Sequence, residues 1–415
     1  MKLTVLEERL VHAAEELAVI DAHEHLPPED RRTSVPVDVF TLFSHYTQTD
    51  LKAAGMKPEE YKRTQDAGVA LEERWRLFEP FYRFIRFGSY ARSALIALKK
   101  FYGFDGIDAG NYRAISEAMQ SANTPGLYDR VLRQACNIRL VLTQNGYTKL
   151  DKLFRPLLAV PSRAGRDLAG QREVLAEVTG GAPESLEAHL ESVDRLLAEW
   201  QLQGIVGLKM AGQPLSEPTL SRANAGYETA AASGFRDVDP TVARDVNDYI
   251  THYVLESAAR RNLVVAVHTG LLWDNWHDFT RTDPKHMIPV LARHPDTRFD
   301  LYHAGIPWSR TLGVMLKNFP NAFGNLCWCH VISPEITVRT LDEWLDLVPV
   351  NKIIGFGGDY TKPVEKVYGH LVMCRQDLSR VLARRVERGL LNEEDARWLL
   401  KRFLVDNPTE LYRLA

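Results

Sequence analysis

Residues 17–26 read LAVIDAHEHL. The first six, LAVIDA at 17–22, are an apolar run of strand length, and the next four carry two histidines two positions apart. In an extended chain, residues two apart point the same way. His23 and His25 can therefore both offer an imidazole nitrogen to one metal ion. A free-standing His-x-His is a weak pattern, and two satisfied structural histidines are the bland reading. At the C-terminal end of a barrel strand the pattern gains weight, because active sites of barrel enzymes are built from strand ends.

Working outward, further apolar runs fall at 138–143 (IRLVLT), 155–160 (RPLLAV), 204–210 (GIVGLKM), 263–268 (LVVAVH), 298–303 (RFDLYH), 322–328 (AFGNLCW) and 352–358 (KIIGFGG). Helical patterns such as 184–200 and 241–261 lie between them. Near-continuous apolar strands alternating with helices imply a parallel sheet covered on its outer face. Eight such units predict an α/β chain folded as a (β/α)8 TIM barrel. A doubly wound open sheet is the alternative. The interval from Val37 to Arg133 does not fit the repeat. It reads as helices, with runs such as ERWRLFEPFYRFIRF, and is expected to be a helical insertion after the first strand. Its aromatics are core for those helices, or else Arg83, Arg86 or Arg92 reaches out to hold an anion. Near the C-terminus, Asn407 in NPTELYRL reads as the N-cap of a last short helix.

Composition narrows the partners. The 415 residues include 51 basic and 54 acidic side chains, for a formal charge of -3, and no basic block. That argues against nucleic acid, whose phosphates need concentrated Lys and Arg. Four cysteines do not make a disulfide framework, and a reducing cytoplasm is expected. The first residues carry glutamates where a secretory leader needs an unbroken apolar run, and no stretch has the length of a membrane span. The expected partner is a small molecule. A homo-oligomer is compatible with the aromatic insertion.

Three later residues end expected strands: His268 in AVHTG, His303 in LYHAG and Asp359 in GGDY. With DAHEH, these motifs resemble the amidohydrolase superfamily of metal-dependent hydrolases. The likeness is strongest to its amidohydrolase-2 branch of hydrolases and non-oxidative decarboxylases. The segments FSHYTQTDLKAAGM and LIALKKFYGF look instead like the insertion of uronate isomerases. The resemblance implies that His23, His25, His268 and Asp359 are metal ligands and that His303 is catalytic beside them. Lys209, in GIVGLKM, keeps three readings: a carboxylated lysine bridging two metals, a contact to a substrate carboxylate, or a structural ion pair.

Imidazole and carboxylate suit one divalent ion, zinc first, with manganese, iron or cobalt also accepted. An open position would lower the pKa of bound water from about 16 to about 7. Asp359 would accept that water's proton, and His303 would stabilise the oxyanion. The expected activity is hydrolysis of a small carboxylate-bearing substrate. Decarboxylation and sugar-acid isomerisation remain open on the same site, and a barrel that only binds ligand is the non-enzymatic reading. Trp273, His277, Trp308, Arg310 and Tyr360 lie just beyond strand ends and are candidate pocket walls, Arg310 as a carboxylate partner. Cys327 and Cys329, in CWCH, lack a second pair at zinc-finger spacing and read as buried thiols.

Overall fold

The computed structural model describes residues 3–147, 151–165 and 167–414. Its strands are β1 (Val19–Glu24), β2 (Ile138–Thr143), β3 (Phe154–Ala159), β4 (Gly207–Ala211), β5 (Val264–His268), β6 (Phe299–Leu301), β7 (Ala322–Asn325) and β8 (Ile353–Ile354). They follow one another in chain order in one sheet. β1 pairs with β2, and β3 to β7 pair in turn, all parallel, with β4 and β5 matched from Gly207↔Val264 to Ala211↔His268. This is the order of a (β/α)8 barrel. Every residue of β1 is buried, as expected of a strand covered on both faces.

The strand limits differ from the apolar runs in an informative way. β1 begins two residues late and so includes His23. β6 stops at Leu301 because His303 and Ala304 take left-handed backbone, with φ of 62° and 50°. β8 keeps two residues of its run, since the following Gly355, Gly357 and Gly358 approach their neighbours too closely for regular pairing.

Helices used below are α1 (Val5–Glu15), α2 (Thr47–Ala53), α3 (Leu71–Ile85), α4 (Ser89–Tyr102), α5 (Leu186–Gln203), α6 (Pro240–Arg260) and α7 (Glu365–Glu387). Their ends carry recognisable chemistry. Thr4 and Glu7 form a reciprocal capping box at α1, and Asp239 caps α6 ahead of Pro240. Asn407 does not cap the last helix. It has helical φ and ψ and is the first residue of that helix, and its side-chain amide donates instead to the Val350 and Ile353 carbonyls. A π-helical turn at Arg402–Asp406 runs directly into the helix, leaving no non-helical residue for a cap.

The chain divides into two compact units. The first comprises Met1–Asn145, Leu271–Phe279 and Asn325–Pro408, and the second Gly146–Gly270, Thr280–Gly324 and Thr409–Ala415. In the first unit, the chain between β1 and β2 forms successive helices with a core of their own, including Phe40, Phe43, Trp75, Phe78 and Ile115. Phe78 stacks on Tyr82 and Trp75 on Tyr112, so the aromatic stripe of α3 is spent on this core. Arg83, Arg86 and Arg92 are exposed, the first two lying over Phe84 and Phe87. α7 packs against α1 and α4. In the second unit, β3 to β7 pair in order, and α5 and α6 fall on the expected helical patterns.

Candidate metal centre

In the first unit, the segment after β8 runs alongside β1. Asp359 donates its amide to the His23 carbonyl at 2.8 Å, and His25 donates to the Tyr360 carbonyl at 3.1 Å. This register sets Asp359 between the two imidazoles. Its Oδ1 lies 3.1 Å from His23 Nε2 and 3.2 Å from His25 Nε2. One ligand atom from each of the three residues falls within 4.8 Å of the others. His23 is buried, whereas His25 keeps a third of its side chain exposed, which leaves the group an open side.

The donor set fits a divalent ion. Two imidazoles and a carboxylate are the ligands that zinc and its neighbours accept. A buried carboxylate also needs positive charge close by. Burial alone would push the Asp359 carboxyl up, but His23 and His25 hold it well below the usual carboxylate range. Asp359 is also held at φ 64°, a left-handed conformation uncommon outside glycine and one that concentrates at functional sites.

Two further residues of β1 hold the loop that carries Asp359. Asp21 Oδ1 accepts from the amides of His23 and Gly358, and Glu24 Oε2 accepts from the Tyr360 amide at 2.6 Å. A Cβ on Gly358 would come within 1.9 Å of Glu24 Oε1, so any other residue there requires the Glu24 carboxyl or the loop to move. Asp21 and Glu24 are fully buried, and Asp21 Oδ2 and Glu24 Oε1 have no hydrogen-bond partner among the described residues. Burial pushes Asp21 up to about 7 and Glu24 well above its ordinary value.

The helical insertion supplies two residues that the strand-end reading did not single out. Tyr46, just before α2, lies beside Asp359: its ring stacks on Trp328 at 4.2 Å between centroids and meets that of Tyr360, the next residue after Asp359, edge-on at 6.1 Å. Burial, reinforced by the Asp359 charge, raises its phenol, so it stays a donor. His45 is held at φ 58°, with its ring 3.8 Å from that of Tyr46 and 5.5 Å from that of Trp273. Burial lowers His45 to about 4, leaving it neutral near pH 7. The one signal for this pair in the sequence is FSHYTQTD, since no strand ends there.

Trp273 is 47% exposed. Its loop is fastened to α2, where Lys52 Nζ meets Asp274 Oδ1 at 2.6 Å and Thr49 Oγ1 accepts from the Asp274 amide. His277 is exposed on the same loop. Tyr360 is 1% exposed and packs edge-on to His370, so its ring faces protein more than solvent. Cys327 and Cys329 are buried free thiols, and the neighbouring His330 bonds to Asp377 at 3.0 Å and to the Gly355 carbonyl.

In the second unit, His268 ends β5 with its Nδ1 3.1 Å from Nε2 of the fully buried His303. Lys209 sits within β4, 8% exposed, with Nζ 3.9 Å over the Tyr302 ring. Arg310 is exposed in the helix Ser309–Asn318, and Trp308 is half-buried at its start. A cavity of about 650 Å³ lies beyond the ends of β3, β4 and β5, lined by Arg163, Gln213, Arg244, Asp248, Arg281 and His286 among others. Asp248 is buried and takes up Arg163, Arg244 and the Ser216 hydroxyl. Arg281 makes no ion pair among the described residues. None of these guanidinium groups was singled out in the sequence: Arg163 and Arg281 lie in the loops after β3 and β5, and Arg244 in α6.

Comparison with known proteins follows the same lines. A family model described as amidohydrolase matches residues 175–414. The chain is similar to a uronate isomerase from Thermotoga maritima, with a TM-score of 0.80 at 16% identity, over 99% of this chain and 98% of that one. It is similar also to a glucuronate isomerase from Caulobacter crescentus, with a TM-score of 0.78 at 18% identity, over 99% and 94%. Among curated proteins it matches Protein fluG of Emericella nidulans, 24% identical over 177 residues. That match takes in 41% of this chain and 20% of fluG, so the chain corresponds to about a fifth of that relative.

Proposed function

The chain belongs to the amidohydrolase family and is a metal-dependent enzyme of that superfamily, and from that premise we propose that it hydrolyses a small carboxylate-bearing substrate. The observation that carries the metal reading is the convergence of His23 Nε2 and His25 Nε2 on one oxygen of Asp359. We assign one ion to these three residues, zinc by preference. His268 is our fourth ligand, on the ground that it ends β5 as the first histidine pair ends β1. A cytoplasmic setting and a small-molecule substrate complete the reading.

When bound, a divalent ion supplies Lewis-acid activation of water or of a substrate oxygen. The residues of the chain do the rest. Asp359 accepts the proton of the attacking water and returns it to the leaving group. Tyr46, held protonated, keeps the Asp359 carboxylate oriented. Asp21 and Glu24 fix the backbone of the loop that presents it.

A second reading is isomerisation of a sugar acid. It is favoured by the His45–Tyr46 pair that the insertion brings to Asp359, which could carry a proton between adjacent carbons. The test is to load the purified protein with zinc or manganese and assay two panels. One holds carboxylate-bearing amides, esters and lactones, the other hexuronic acids followed by aldose-to-ketose conversion. Metal-dependent cleavage in the first panel supports hydrolysis, and turnover in the second panel alone replaces it with isomerisation.

A further inference from the structure

Lys366, the second residue of α7, has no exposed surface. An amine on a long flexible stem is rarely buried completely, because leaving water is unfavourable for the charged group and restricting the stem loses entropy. Here Nζ donates to Thr47 Oγ1 at 3.1 Å and lies 5.5 Å from the centroid of the Tyr360 ring. Thr47 is the first residue of α2 and is itself fully buried. It follows directly on His45 and Tyr46. Tyr360 follows directly on Asp359. One side chain therefore joins the two segments that meet at the candidate metal centre.

The surroundings explain why an amine serves there. Asp50, one turn along α2, is the charged group that favours the ammonium form, while burial opposes it and brings Lys366 down to about 7. The Tyr46 ring stacks on Trp328 and on Tyr90, which also stack on each other. Tyr46 is thus fixed in its plane by aromatic stacking, but its position along the insertion depends on where α2 begins.

We propose that Lys366 is a positioning residue: through Thr47 it fixes the first turn of α2, and so holds Tyr46 beside Asp359. This rests on the reading of Asp359 as a metal ligand, but its test does not require activity. Backbone amide exchange is measured over residues 45–52 in wild type, in Lys366→Met and in Thr47→Val. Cobalt(II)-loaded samples of the same proteins and of Tyr46→Phe are compared by visible absorption.

The expected result is exchange faster by about tenfold over 45–52 in both variants, reflecting a local opening made easier, with residues 370–380 of α7 unchanged. In both variants cobalt still binds and its visible band shifts in the direction seen for Tyr46→Phe. Lys366→Arg is expected to restore part of both signals, since it keeps a donor. Wild-type exchange in a folded Lys366→Met, or in Thr47→Val should the first variant not fold, overturns the proposal. So does a band that moves in Tyr46→Phe but in neither variant. Absence of cobalt from the wild type would instead remove the metal reading, and the exchange data would still decide for or against Lys366.

Discussion

Lys209, in the middle of β4, holds its Nζ 3.9 Å over the centroid of the Tyr302 ring. A cation over an aromatic face is stabilised as an ammonium. That favours a lysine that keeps its charge over one carboxylated to bridge two metals. Lys209→Met is therefore expected to leave metal content at one ion per chain. Loss of an ion in that variant, measured by elemental analysis, would establish a bridge.

Tyr46→Phe removes the hydroxyl beside Asp359 and keeps the ring that stacks on Trp328. Metal content and melting temperature are expected to stay near wild type, while turnover falls by about 10²-fold, the usual scale for a group that assists proton transfer. Steady-state kinetics on whichever substrate the panels identify checks this. Equal kcat in the two proteins would take Tyr46 out of the chemistry.

Gly358→Ala would drive a methyl group onto Glu24 Oε1, 1.9 Å from the ideal Cβ position. Either the Glu24 carboxyl that holds the Tyr360 amide or the loop itself must then move, with destabilisation of about 1–3 kcal/mol and loss of most bound metal. Denaturant unfolding and metal analysis report the two effects separately.

Asp21 gives the pH dependence of the metal-free protein. Burial raises its carboxyl to about 7 in the folded chain, against roughly 3.9 when unfolded. The folded state therefore holds a proton that the unfolded state has released. The stability this contributes is complete below about pH 4 and is lost as pH rises through about 7. After chelation, the wild type should melt at a lower temperature at pH 8 than at pH 5.5, and Asp21→Asn should show a smaller difference. Equal slopes would mean that Asp21 is not holding its proton.

The Lys52–Asp274 pair fastens the loop of Trp273 to α2, with 19% and 30% of the two side chains exposed. Exposed pairs contribute about 1 kcal/mol or less. Asp274→Asn should leave the melting temperature nearly unchanged while altering Trp273 fluorescence, and salt should have the same effect on the wild type. A quenching profile identical in variant and wild type would show that the loop is held by other contacts.

Much of this site was legible because it obeys the period of a strand. His23 and His25 share a face whatever the tertiary context, and Asp359 follows the last of eight apolar runs whose order is that of the sheet. The remainder depends on contacts between segments far apart in the chain. Nothing in FSHYTQTD says that Tyr46 reaches Asp359, more than 300 residues away, and Asp21 and Glu24 read simply as polar positions around two histidines. The strand limits shifted where glycines or left-handed residues interrupt pairing, at Gly357–Gly358 and at His303–Ala304, because such backbone is set by what it packs against.

The central claim is that His23, His25 and Asp359 hold a metal ion. Elemental analysis of purified wild type, His23→Ala and Asp359→Ala tests it most directly, with circular dichroism to confirm that the variants are folded. The expected result is about one divalent ion per chain in the wild type, on the precedent of three-ligand catalytic sites, and little in either folded variant. Equal metal content in all three proteins, or none in a wild type reconstituted with zinc, would contradict it.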